Sequence, residues 1–183
     1  MKVIILTGKS RVGKDTFARR IKDVEEQKGN KVFIMGYADA LKYICERNFG
    51  FRGTKDIEDR KILQETGDLF RDATPSFFVD MVNFSIDTCY KLGYDYFIIT
   101  DARFDNEINE VLWINREVIK LDRTFDNGLG ERAKHKSESG ISEHLIDMYV
   151  NLDDNSLWME KNMSLRDYNR VLEYLNGYTV IDG

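Results

Sequence analysis

Proline is nearly absent from this chain, with Pro75 the only one in 183 residues. A chain so poor in proline has no polyproline linker or proline-rich recognition segment. Cysteine is also scarce. Cys45 and Cys89 lie far apart with no histidine pair nearby, which excludes a disulfide-stapled scaffold and a zinc ligand pattern, and predicts two partly buried thiols. An excess of positive charge is missing too. The formal net charge is −5, which argues against a general binder of polymeric nucleic acid. No apolar run exceeds the length of a strand, so no membrane span or membrane partner is expected. Met1 and Lys2 lead into a short apolar run followed by glycine rather than a small-residue cleavage site, so the expectation is a soluble, cytoplasmic protein. There is no internal repeat or low-complexity tract, and the length suits one α/β domain spanning residues 1–183.

Hydrophobic residues make up 42% of the chain, enough for one packed core. Val3-Ile4-Ile5-Leu6 is continuous and apolar, the pattern of a strand buried on both faces. Phe17, Ile21 and Val24 then recur at helical spacing, with Gly29 as the stop. A second strand is predicted near 32–37 and a helical region over about 38–92, broken by Gly50, Gly53 and Pro75. Tyr96 to Thr100 and Val118 to Leu121 read as further strands, separated by a helix whose stripe is Ile108, Val111 and Leu112. Ser164 and Asp167 mark the start of a last helix carrying Leu165, Tyr168, Val171, Leu172 and Leu175. Strands alternating with helices predict a parallel sheet covered on both faces, with ligands beyond the carboxyl ends of its strands.

The segment Gly8-Lys9-Ser10-Arg11-Val12-Gly13-Lys14-Asp15-Thr16 lies where the first strand turns into the first helix. Two glycines let backbone N–H groups curl around one anion, and the helix dipole points its positive end at the same place. This is the pattern of a P-loop that cradles the phosphates of a nucleoside triphosphate such as ATP. Gly8, Arg11, Val12, Gly13, Lys14, Asp15 and Thr16 are its candidate binding residues, and Lys14 is the cation for the transferring phosphoryl group. The usual hydroxyl directly after the lysine is replaced by Asp15, with Thr16 one position later. Mg²⁺ would therefore be held by Asp15, by Thr16 or through water.

A second cluster, Asp101-Ala102-Arg103-Phe104-Asp105-Asn106-Glu107, follows the third predicted strand. Asp101 could accept from metal-bound water or orient Lys14, or it or Asp105 could cap the next helix. The Arg103 guanidinium is shaped to grip a second phosphate. The stretch from Arg123 to Gly140 is poor in apolar residues and carries Arg132, Lys134, His135, Lys136 and Glu138, which reads as a basic lid loop or as a solvated charged loop.

Taken in order, Gly8-x4-Gly13-Lys14-Asp15-Thr16, Tyr37 to Lys42, Leu63-Gln64-Glu65-Thr66-Gly67-Asp68 with Arg71, the 93–107 run and His135 to Gly140 resemble the phage deoxynucleoside monophosphate kinases. That resemblance implies a P-loop NTPase-type sheet with a helical acceptor-binding region over 38–92 and a lid over 123–140. It implies transfer of the ATP γ-phosphoryl to a deoxynucleoside monophosphate with Mg²⁺. By position it puts Lys42, Gln64, Arg71, Arg103 and Glu138 at the acceptor, and Lys14, Asp101, Arg103 and Arg132 at the chemistry. Gln64 is the base-reading residue in this scheme, with Tyr37, Phe70 or Phe77 as stacking partners. A homodimer stays open. Two other functions compete: a P-loop kinase for another phosphorylated small molecule, in the manner of animal phosphomevalonate kinases, and a nucleotide-dependent switch without an acceptor.

Overall fold

In the computed structural model, the described residues are 1–54, 56–123, 140–153, 156–159 and 165–175. The elements run β1 (Lys2–Thr7), α1 (Lys14–Gln27), β2 (Val32–Met35), α2 (Ala38–Asn48), α3 (Ile57–Ala73), α4 (Phe77–Lys91), β3 (Tyr96–Ile99), α5 (Asn106–Asn109), β4 (Arg116–Asp122), β5 (Met148–Asn151), β6 (Ser156–Met159) and α6 (Leu165–Leu175). A 3-10 turn, Glu143–Leu145, precedes β5.

The strands form one sheet in the order β2-β3-β1-β4-β5-β6. The first five are parallel, and β6 closes the edge antiparallel to β5. β1 lies at the centre, with Ile4 opposite Ile98 on one side and Glu117 on the other. The chain leaves β1 toward β2 and β3 on one flank, then crosses to β4 on the opposite flank. Loops at the carboxyl ends diverge at such a reversal and leave a crevice for a ligand.

Strand periodicity divides the core into two layers. Ile4, Leu6, Ile98, Ile119 and Leu121 point to the face covered by Phe17, Ile21 and Val24 of α1 and by Val171, Tyr174 and Leu175 of α6. Val3, Ile5, Phe97, Ile99 and Val118 point to the opposite face, under Leu41 and Cys45 of α2 and Phe78, Val82, Ile86 and Cys89 of α4. Both cysteines are buried free thiols. α3 packs against α2. Its N-cap is Asp56, which accepts from the Asp59 N–H at 2.9 Å.

Two local expectations need correction. The helix predicted around 108–112 is only four residues long. The Asn83 amide of α4 donates to the Glu110 carbonyl and accepts from the Leu112 N–H, so the chain is fixed in a turn, and Leu112 is 83% exposed. The second strand stops at Met35, because Gly36 and Tyr37 already turn into α2. β5 and β6 have no counterpart in the sequence-based assignment. Among the described residues no helix is long and apolar enough to cross a membrane.

Candidate functional site

The loop between β1 and α1 is built from unusual backbone. Gly8 has φ 132° and Gly13 has φ 111°, and Arg11, at φ 66°, is the one non-glycine with positive φ among the described residues. A Cβ at Gly8 would stand 2.3 Å from the carbonyl oxygen of Leu121, the penultimate residue of β4, so the position demands glycine. Val12 is buried and anchors the loop in the core, its N–H donating to the Lys9 carbonyl at 3.3 Å. The Lys14 side chain turns back into the loop, and its ammonium donates to the carbonyls of Gly8 and Lys9, both at 2.9 Å. The N-terminus of α1 begins at Gly13 with no side-chain cap. Its first turn carries Asp15, exposed, and Thr16, partly buried.

Beside this loop the end of β1 is tied to the segment after β3: the Thr7 hydroxyl donates to the Ala102 carbonyl at 3.0 Å. Asp101, the second residue past β3, caps α2 rather than the helix that follows it. Its carboxylate accepts from the N–H groups of Tyr37 at 2.6 Å and Ala38 at 3.0 Å. The approach is so close that a Cβ at Gly36 would meet Asp101 Oδ2 at 2.7 Å. Burial pushes the Asp101 carboxyl above its ordinary value, against the pull of those two N–H groups and of the Lys42 and Arg103 charges. Asp105 likewise does not cap α5 and instead accepts from the N–H of Ser142 at 2.8 Å and from its hydroxyl.

Lys42 of α2 donates to Asp39 at 2.8 Å. Burial would lower the Lys42 pKa, but the Asp39 bond and the charges of Asp39, Asp101 and Asp15 raise it overall. Lys42 therefore shares one electrostatic neighbourhood with the start of α1 and the end of β3.

Arg71 lies on α3, one helical face along from the partly buried Gln64 and the buried Gly67. Its guanidinium sits over two rings, 4.5 Å from the Phe104 centroid and 5.0 Å from that of Phe78. Its Nη2 is 3.8 Å from Glu107 Oε1.

Glu107 escaped the sequence reading as a site residue. It is 3% exposed, and Oε2 accepts from the N–H groups of Arg103 at 2.7 Å and Phe104 at 3.1 Å. Burial drives its carboxyl up to about 7, with Asp101 adding to the rise and the Arg103 and Phe104 N–H groups and Arg71 opposing it. Its backbone partners lie only three and four residues back, but the contact that ties it to the site, Arg71 on α3, is distant in sequence.

Tyr37 is buried, not exposed for stacking: its hydroxyl donates to the Glu107 carbonyl, and burial holds the phenol above its usual range. Phe70 and Phe77 stack on each other with centroids 4.7 Å apart.

The structure thus gathers the 8–16 loop, Lys42, Asp101 and Arg103 around the carboxyl ends of β1 and β3, with Arg71 joined to them through Glu107. Arg132, His135 and Glu138 lie outside the described residues, as does the expected lid except for its flanks. On one flank Arg123 pairs with Asp153, at 3.3 Å. Among the described residues no three His, Cys, Asp or Glu side chains gather as a metal site.

No protein-family model matches the chain, and no curated protein matches it. Among solved structures it is similar to a chain from the PezAT chromosomal toxin-antitoxin system of the human pathogen Streptococcus pneumoniae. The TM-score is 0.42 at 16% identity, over 98% of this chain and 80% of that one. A likeness at that level carries no argument about chemistry.

Proposed function

We propose that the chain is a P-loop nucleotide kinase that moves the γ-phosphoryl group of ATP to a deoxynucleoside 5′-monophosphate. The observation that carries this reading is the β1–α1 loop. Its left-handed residues curl the backbone around the Lys14 ammonium at the uncapped start of a 14-residue helix. Such a loop suits an anion of several phosphates, which would take the place of the Gly8 and Lys9 carbonyls as partners of Lys14. Mg²⁺ would be held with the phosphates by Asp15 and Thr16 in the first turn of α1. Asp101, held by α2, would reach it through water. The metal would supply charge neutralisation between the phosphates.

In the transfer, an acceptor phosphate oxygen forms a bond to the γ-phosphorus as the bond from that phosphorus to the β,γ-bridging oxygen breaks. The displaced electron pair stays on the ADP oxygen. Lys14 offsets charge on the moving group, while Lys42, Arg71 and Arg103 would hold the acceptor phosphate in line.

One observation favours a second reading, a P-loop kinase for a different phosphorylated small molecule. Tyr37 is buried and Phe70 is stacked on Phe77, so the aromatic surface expected to receive a nucleobase is largely committed to the protein itself. Coupled ADP release with ATP, Mg²⁺ and each common ribo- and deoxyribonucleoside monophosphate, with phosphomevalonate alongside, separates the readings. Turnover with a deoxynucleotide supports the first. Turnover on phosphomevalonate alone moves the chain to the second, and ATP binding with no acceptor-dependent turnover leaves a nucleotide switch.

A further inference from the structure

Glu107 joins three segments that the proposed reaction needs in register. Its backbone carbonyl receives the Tyr37 hydroxyl at the start of α2. One carboxylate oxygen receives the N–H groups of Arg103 and Phe104 after β3, and the other faces the Arg71 guanidinium of α3 at 3.8 Å. Phe104, whose N–H is held by this carboxylate, also provides one of the two rings against the Arg71 guanidinium. An arginine has four rotatable bonds and a large rotamer entropy. Here the ring faces restrict its plane, the buried Glu107 carboxylate draws Nη2 and the half-exposed Asp68 lies 3.7 Å from Nη1, so the direction of the guanidinium is set before any ligand arrives.

We infer that Glu107 is a positioning residue for the acceptor phosphate: its buried carboxylate aims Arg71 and fixes the Arg103 segment, so that the two guanidinium groups meet one phosphate. The inference rests on the kinase reading for the identity of the ligand, though the placement of Arg71 by Glu107 does not. Packing alone would be served better by an apolar side chain of similar size, because a carboxylate in this place is costly to bury. Charge and two acceptor oxygens are what the Arg71 and Arg103 contacts use.

Glu107→Gln separates the roles. The amide oxygen still accepts from Arg103 and Phe104, and the amide nitrogen then faces Arg71 without attraction. In the full chain at pH 8, the KM for the best deoxynucleoside monophosphate should rise about tenfold, with the ATP KM unchanged and resistance to urea not reduced. In an Arg71→Ala background the same change should add little to that KM, because both act through one guanidinium. Equal rises in both KM values, or full additivity with Arg71→Ala, would overturn the inference. The Arg71 Nε–H signal in ¹⁵N NMR, identified by its loss in Arg71→Lys, gives a readout that needs no turnover. It should be distinct and slowly exchanging in the parent and should broaden or exchange quickly in Glu107→Gln. An unchanged signal also refutes the inference. A parent chain without acceptor-dependent turnover but with the NMR change removes the kinase reading and keeps Glu107 as the residue that aims Arg71.

Discussion

Lys14 carries its ammonium inside a loop where two backbone carbonyls, each 2.9 Å away, are its partners. A methyl group in its place leaves the glycine turns and the buried Val12 anchor intact, so Lys14→Ala should fold. Its turnover should fall by roughly a thousandfold or more, the scale of losing a transition-state cation. Circular dichroism together with ADP release checks both halves, and near-parent turnover in a folded variant would remove Lys14 from the chemistry. Glu107 gives a different residue-scale expectation. Its carboxyl titrates at about 7 in the fold against an ordinary 4.5. Burial is the main cause, with Asp101 reinforcing it and the Arg103 and Phe104 N–H groups and Arg71 opposing it. Below about 4.5 the group is protonated whether the chain is folded or not, and its contribution to stability is then greatest. That contribution is lost as pH rises through 7. The change amounts to about 3 kcal/mol from the 2.5-unit difference. Urea unfolding between pH 5 and 8 should show Glu107→Gln gaining on the parent by that order as pH rises, and a constant difference would contradict the raised titration.

α6 reaches the body of the fold through a polar contact in an apolar face. Tyr174 is fully buried beside Val171 and Leu175, and its hydroxyl donates to the buried Glu25 carboxylate of α1 at 2.9 Å. Lys28 and Asn30 donate to the same carboxylate. Burial pushes Glu25 up, but these three donors outweigh it and hold the carboxyl below its ordinary value. Tyr174→Phe keeps the ring and removes one donor, so it should cost about 1–2 kcal/mol in urea unfolding at neutral pH. A loss below a few tenths of a kcal/mol would mean that the Tyr174 hydroxyl adds little to the apolar stripe and to the Arg170–Glu117 and Lys28–Glu173 pairs that also hold α6. The sequence displayed much of this level: Phe17, Ile21 and Val24 repeat at helical spacing and are all buried, as are Val171 and Leu175. It did not display what comes from distant partners. Asp101 read as an acid for metal-bound water or for Lys14, or as a cap for the helix after it, and neither pattern revealed that its donors lie 63 and 64 residues earlier at the start of α2. The predicted helix at Ile108 to Leu112 ended early because one amide of α4, Asn83, captured its backbone. β5 and β6 were not read as strands, although at four residues each they are as long as β2 and β3, which were.

For the molecule as a whole, the proposed nucleotide site touches the ends of several elements at once. Ligand there should stabilise the native state against global unfolding. At a hundred times its dissociation constant, ATP with Mg²⁺ adds about 2.7 kcal/mol, a rise of about 5–10 °C in Tm for a chain of this size. Lys14→Ala should lose most of that rise. Differential scanning calorimetry with and without nucleotide measures it, and equal shifts in the parent and the variant would place the nucleotide elsewhere. The parallel α/β class was legible as a whole from alternating apolar runs and helical stripes. The position of β1 at the centre of the sheet was not, because strand order is decided by pairing between residues about a hundred positions apart.

That central position also governs how the chain is made. Lys2 pairs with Tyr96 and Val3 with Arg116, while Val32 of β2 pairs only with Tyr96 of β3. During synthesis neither of the first two strands has a neighbour until β3 has left the ribosome. At about 5–20 residues per second, the Val3-Ile4-Ile5-Leu6 segment waits roughly 5–20 s in the nascent chain with no sheet to enter. For that interval the future centre of the sheet is an exposed hydrophobic peptide, available to a chaperone or to another nascent copy, and its final partners arrive almost together.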